Sequence, residues 1–143
     1  MASAPSPENP LRGSCLCGGV QFEVTAPFTD ANHCHCSRCR KHSGTYGSVQ
    51  ARVPREGFRL ISGGELITVW RPDDDGRVKA FCAVCGSSLF GREWPEGDEI
   101  AIRLGALDDD PCIRPEFHTF VDSRAAWDVL PDDGLPRYGG SAL

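Results

Sequence analysis

The spacing of its cysteines constrains this chain more than any other feature. Eight cysteines stand at 15, 17, 34, 36, 39, 82, 85 and 112 of 143 residues. Seven fall into three short clusters: Cys15-Leu16-Cys17, Cys34-His35-Cys36-Ser37-Arg38-Cys39, and Cys82-Ala83-Val84-Cys85. Cysteines one or two residues apart are too close to cross-link distant segments efficiently, yet they suit two ligands of one metal. A secreted disulfide framework ordinarily goes with a signal peptide and a smaller chain. Met1–Pro10 has no basic residue and no apolar core, unlike a signal peptide. The cysteines therefore read as metal ligands in a reducing cytoplasm.

The clusters differ in what they can hold. Cys82-Ala83-Val84-Cys85-Gly86 has the form of a zinc knuckle, with Gly86 permitting the turn that aims amides at the sulfurs. A closed tetrahedral site needs four ligands, and Cys15 and Cys17, followed by Gly18-Gly19, are the natural second pair. That assigns a structural zinc to Cys15, Cys17, Cys82 and Cys85. The middle cluster offers Cys34, Cys36 and Cys39, and three protein ligands with one open position is the arrangement of a catalytic zinc. Arg38, Arg40, Lys41 and His42 add positive charge that favours thiolates and could hold an anionic substrate. The competing arrangement is a closed Cys₃His site completed by His33 or His35. On extended backbone, however, His35 points away from Cys34 and Cys36.

The rest of the chain sets the frame. Hydrophobic residues make up 40% and charged residues 24%, ordinary globular chemistry. The 16 Gly and 11 Pro exceed the usual ~12% and argue for many turns. Residues 1–10 read as a disordered lead-in and 11–143 as one domain. Expected strands are 20–25, 46–53, 58–61, 66–71, 77–81, 87–92, 100–104 and 116–122, with 58–61 and 66–71 forming a hairpin around Ser62-Gly63-Gly64. Short helical turns are expected at 37–43 and 123–130. The expected architecture is all-β with two stacked sheets, and a small glycine-rich core of this kind commonly needs a metal staple. The longest apolar run, Ala80–Cys85, is far short of the ~20 residues of a membrane span. A net charge of −5 argues against nucleic-acid or anionic-membrane partners.

Several residues take plainer readings. Cys112 has no neighbour at ligand spacing and reads as a small buried hydrophobe. His118 reads as a satisfied histidine within a strand. Asp73–Asp75 and Asp108–Asp110 read as solvated turns, without EF-hand spacing. Trp70, Trp94 and Trp127 are isolated, unlike a base-stacking platform.

The chain resembles the glutathione-dependent formaldehyde-activating enzyme family, which includes centromere protein V-like proteins. The resemblance rests on Gly13-Ser14-Cys15-Leu16-Cys17-Gly18-Gly19-Val20-Gln21-Phe22, Cys34-His35-Cys36-Ser37-Arg38-Cys39-Arg40-Lys41 and Phe81-Cys82-Ala83-Val84-Cys85-Gly86-Ser87-Ser88-Leu89-Phe90. It continues through Gly105-Ala106-Leu107-Asp108-Asp109-Asp110-Pro111, Arg114-Pro115 and Phe117-His118-Thr119-Phe120-Val121. It implies an Mss4-like fold of stacked antiparallel sheets. It also implies two zinc ions per chain, a structural one on Cys15, Cys17, Cys82 and Cys85 and a catalytic-type one on Cys34, Cys36 and Cys39. The activity implied is that of a carbon–sulfur lyase interconverting formaldehyde plus glutathione with S-hydroxymethylglutathione. Glutathione is then a co-substrate, and Arg38, Arg40 and Lys41 are candidate contacts for its carboxylates. The alternative is a zinc-stabilised binding module for a protein or thiol ligand, without turnover. Shared ligands constrain the metal chemistry better than the substrate.

Overall fold

The computed structural model describes residues 3–142, and Met1 and Ala2 of the lead-in lie outside them. Residues 3–10 form neither strand nor helix. Ser6 and Asn9 exchange backbone hydrogen bonds of 3.1 Å there.

Among the described residues ten strands form two sheets. The smaller joins β1 (Leu11–Ser14), β2 (Gln21–Val24) and β5 (Phe58–Ser62), with β2 central and antiparallel to both neighbours. The larger contains β3 (Asp30–Cys34), β4 (Ser48–Pro54), β6 (Ile67–Trp70), β7 (Val78–Cys82), β8 (Ser88–Arg92), β9 (Glu99–Arg103) and β10 (His118–Thr119). Its order is β10-β3-β4-β9-β8-β7-β6, antiparallel except for the parallel pair β10–β3. The helix α1 (Ser37–Ser43) lies between β3 and β4.

Strand alternation gives the large sheet two unlike faces. Ala31, Ala51, Val53, Ile100, Ile102, Phe90, Ala80 and Cys82 are buried on one face, against Phe22 and Val24 of the small sheet. An aromatic knot closes the layers: Phe22 meets Phe90 edge-on at 5.2 Å, and Phe90 stacks on Trp94 at 4.1 Å. Each such large side chain contributes about 1.5–3 kcal/mol through burial. The opposite face carries the alternate residues, Cys34, Ser48, Gln50, Arg52, Ala101, Arg103, Gly91 and Lys79. Register sets Arg52 opposite Ala101, Ala101 opposite Gly91, and Gly91 opposite Lys79.

The fold departs from expectation in several places. Strands 58–62 and 67–70 do not pair; β5 lies in the small sheet and β6 at the edge of the large one. A Gly-rich link reads the same whether the chain folds back or crosses between sheets. Residues 116–122 contribute only the two-residue β10, and Phe120 leaves strand geometry at φ 55°. No helix forms over 123–130; a 3₁₀ turn covers Val121–Ser123 instead. Cys112 is exposed rather than buried, at φ 60° in the loop after Pro111. The α1 helix occupies the expected 37–43. Among the described residues no helix is long and apolar enough to cross a membrane.

Candidate functional site

The sulfurs of Cys15, Cys17, Cys82 and Cys85 all lie within 4.8 Å of one another. Tetrahedral zinc–sulfur bonds of ~2.3 Å place sulfurs about 3.8 Å apart. Here Cys15–Cys17 measures 3.5 Å and Cys17–Cys82 3.9 Å, so the cluster fits a four-thiolate metal. Local structure explains the convergence. Gly18 and Gly86, both at φ 78°, supply the left-handed turn after each cysteine pair. The Val20 amide donates to the Cys15 sulfur at 3.2 Å, and Ser87 donates or accepts at the Cys85 sulfur at 3.2 Å. Cys15 and Cys17 follow β1 of the small sheet, while Cys82 ends β7 of the large one and Cys85 lies in the turn after it. A metal at this point would tie the layers together.

The sulfurs of Cys34, Cys36 and Cys39 form a second cluster within the same 4.8 Å limit. Cys34 ends β3, Cys36 caps α1 by accepting from the Cys39 amide at 3.3 Å, and Cys39 is the helix's buried residue. The Cys34 and Cys39 sulfurs are 3.6 Å apart, again a spacing for shared metal ligation. The buried Lys79 ammonium donates to the Cys39 sulfur at 3.0 Å. Hydrogen bonds from Cys34 and Cys36 pull the Cys39 thiol far down, against the effect of burial, and Lys79 adds to this. Hydrogen bonding with Cys36 and Cys39, reinforced by burial, pushes Cys34 up. These contacts favour the thiolate at Cys39 over that at Cys34.

Neither neighbouring histidine turns toward these sulfurs. His33 Nδ1 bonds the Tyr46 hydroxyl at 3.0 Å. His35 lies in a buried chain, with Nδ1 at 2.6 Å from Asp128 and Nε2 at 2.8 Å from His118 Nδ1. His118 Nε2 in turn reaches Asp133 at 2.8 Å. The closed Cys₃His arrangement is not formed, and the three-sulfur group retains a free direction.

A cavity of about 400 Å³ opens beside it, lined by Cys34, Cys39, Lys79 and Arg103 and by the aromatic residues Phe117, Phe120 and Tyr138, among others. Arg38, Arg40 and Lys41 are not among its lining residues. Arg38 pairs with Asp74 at 2.6 Å, Arg40 donates to the Ser123 carbonyl at 3.0 Å, and Lys41 is exposed. His42 contacts Ser88 at 3.4 Å and is pushed below its ordinary value by burial and then by the charges of Arg103 and Lys79. The cations at the cavity come from β4, β7, β8 and β9 and from Arg77, just before β7. Their sequence signal was the polar half of two alternating strands, Lys79 beside Val78 and Ala80, and Arg103 beside Ile102. Only strand register brings them to Cys39.

The family model for glutathione-dependent formaldehyde-activating enzyme matches residues 10–123, which hold both cysteine clusters. The chain belongs to this family. A Halomonas elongata protein bearing the family's name is 31% identical over 125 residues, covering 82% of this chain and 78% of that protein. A Penicillium rubens protein of the same name is 30% identical over 115 residues, covering 76% of this chain. The chain spans only 59% of the length of that fungal relative. A Rhodobacter sphaeroides protein of known crystal structure shares the fold at TM-score 0.57 and 23% identity, covering 89% of this chain and 98% of its own.

Proposed function

We propose that this protein is a zinc-dependent carbon–sulfur lyase that interconverts formaldehyde plus glutathione with S-hydroxymethylglutathione. The observation carrying this reading is a three-cysteine group, with no fourth protein ligand among the described residues, two of whose members, Cys34 and Cys39, line a cationic cavity. Cys34, Cys36 and Cys39 would hold the ion, with Cys15, Cys17, Cys82 and Cys85 holding a second, structural one. Bound zinc supplies Lewis-acid chemistry and a position at which a thiol ionises near neutral pH.

The chain's own residues do the rest. Lys79 holds Cys39 as thiolate and offsets charge gathered at the sulfurs. The cavity orients the thiol and excludes water, under a wall of Phe117, Phe120 and Tyr138. In the forward direction the substrate sulfur forms a bond to the aldehyde carbon, and the carbonyl oxygen takes a proton to become the hydroxyl of the adduct. In reverse that C–S bond breaks and the proton leaves the hydroxyl. The reading places the protein in a reducing cytoplasm, where thiolate ligands persist.

The test is magnetisation-exchange NMR on a mixture of formaldehyde and glutathione, because the uncatalysed exchange provides its own baseline. Catalytic amounts of zinc-loaded protein should accelerate exchange, and Cys36→Ser should abolish the acceleration. Saturable glutathione binding with exchange left at the baseline rate would identify a thiol-binding module instead.

A further inference from the structure

Five cations line the cavity, and they differ in how far they are neutralised. Arg52 is held by Asp30 and by Glu99, and Lys79 by the Cys39 sulfur. Arg77, Arg92 and Arg103 have no carboxylate partner among the described residues. Arg103 is the most demanding of them, at 9% exposure. Its Nη1 donates to Gln50 Oε1 at 2.5 Å, while its Nε has no hydrogen-bond partner. Burial pushes this guanidinium below its ordinary value, and only the cysteine sulfurs work in the other direction. Arg92 is likewise pushed down by burial and then by repulsion from Arg77 and Arg52, against the weaker attraction of Glu99 and Glu93. Buried charge without a partner is costly, so Arg103, with half-buried Arg92 and exposed Arg77 lining the same cavity, gains by admitting an anion.

The backbone makes room for this group. Gly91 lies next to Ala101 in the register, on the polar face. A Cβ placed there would stand 3.1 Å from Arg103 Nη2 and 3.5 Å from its Cζ. The guanidinium therefore lies over β8 where any other residue would put a side chain. The available donors form a planar fork suited to a carboxylate.

We propose that Arg103, Arg92 and Arg77 form a carboxylate subsite that holds the non-reacting end of the substrate thiol while its sulfur lies at Cys34, Cys36 and Cys39. The ligand class is a carboxylate-bearing thiol, an identity that rests on the thiol–aldehyde reading of the cavity. The subsite belongs to the sheet face rather than to α1. It assigns anion recognition to residues other than Arg38, Arg40 and Lys41.

The experiment is calorimetric titration of the zinc-loaded protein with S-methylglutathione, which keeps both carboxylates and has no free thiol. Its diethyl ester is titrated in parallel. Wild type should bind the acid and lose roughly tenfold or more in affinity for the ester. Arg92→Gln and Arg103→Gln should weaken the acid by a similar factor and leave the ester unchanged, with zinc content and circular dichroism as in wild type. Gly91→Ala, which keeps every arginine but displaces the Arg103 fork, should also weaken the acid. If Arg103→Gln does not fold, Arg92→Gln and Arg77→Gln, at less buried positions, decide the matter. Equal affinity for acid and ester, or arginine variants that bind the acid like wild type, would overturn the subsite. Arginine-dependent binding without any acceleration of formaldehyde exchange would support the subsite and refute the lyase reading, so the two fail separately.

Discussion

Among the four sulfurs at the junction of the sheets, Cys17 is exposed and Cys85 is half-buried. Hydrogen bonding orders their ionisation the other way. The Ser87 hydroxyl and amide hold Cys85 down to about 5. At Cys17 the Gly19 amide lowers the value, but hydrogen bonding with Cys15, together with burial and the other cysteines, outweighs it and pushes the thiol up to about 11. A depressed value means thiolate above about 5, and an elevated one means thiol below about 11. Near pH 7, a brief iodoacetamide pulse applied as a chelator withdraws the metal, before the fold opens, should thus alkylate Cys85 before Cys17, against the order of exposure. The preference should vanish as the pH approaches 11. Peptide mapping by mass spectrometry reads the order, and modification of Cys17 first near neutrality would contradict the hydrogen-bond assignment. The cysteine clusters were legible in the sequence because their ligands are neighbours along the chain. Lys79 and Arg103 were not, because each reaches the sulfurs through pairing of strands far apart in sequence.

At the level of elements, the strands with clear alternation were legible, and so was α1, bounded by Cys36 and Gly44. Asp30–Cys34 was not, since its residues lack an apolar period and its burial follows from position between β4 and β10. Nor was the chain of Asp128, His35, His118 and Asp133 that fastens the C-terminal segment to β3. His118 alone looked like a satisfied strand histidine, and it is one, but its partners lie in segments with no motif. His118→Ala leaves a ring nitrogen of the fully buried His35 without its partner, and Asp133 without its imidazole. The buried His35 nitrogen left unpaired costs about 1–3 kcal/mol, while the exposed Asp133 returns to water. Urea unfolding should accordingly show a loss of roughly 2 kcal/mol or more, and hydrogen exchange should accelerate over 117–138. An unchanged midpoint and unchanged protection there would show that the histidine chain does not hold the segment.

For the whole molecule, two layers share one aromatic core, and the two cysteine clusters occupy different mechanical positions in it. Cys15 and Cys17 extend from the small sheet and Cys82 and Cys85 from the large one, so a metal held by all four is a cross-layer staple. Structural zinc supplies ~10–16 kcal/mol of apparent binding energy, comparable with a small domain's whole stability of ~5–15 kcal/mol. Cys82→Ser removes a fully buried ligand and should leave protein that unfolds or aggregates without a cooperative melt. Cys34, Cys36 and Cys39 lie within one β3–α1 unit and bridge no layers, so a metal held there would serve the cavity rather than the fold. The most direct test of that division is the thermal melt of Cys36→Ser, followed by circular dichroism with zinc counted in the same sample. A cooperative transition near that of wild type, with one zinc ion fewer per chain, is the expected result. A Cys36→Ser protein that unfolds as Cys82→Ser does would contradict it, since the three-cysteine group would then be a second staple.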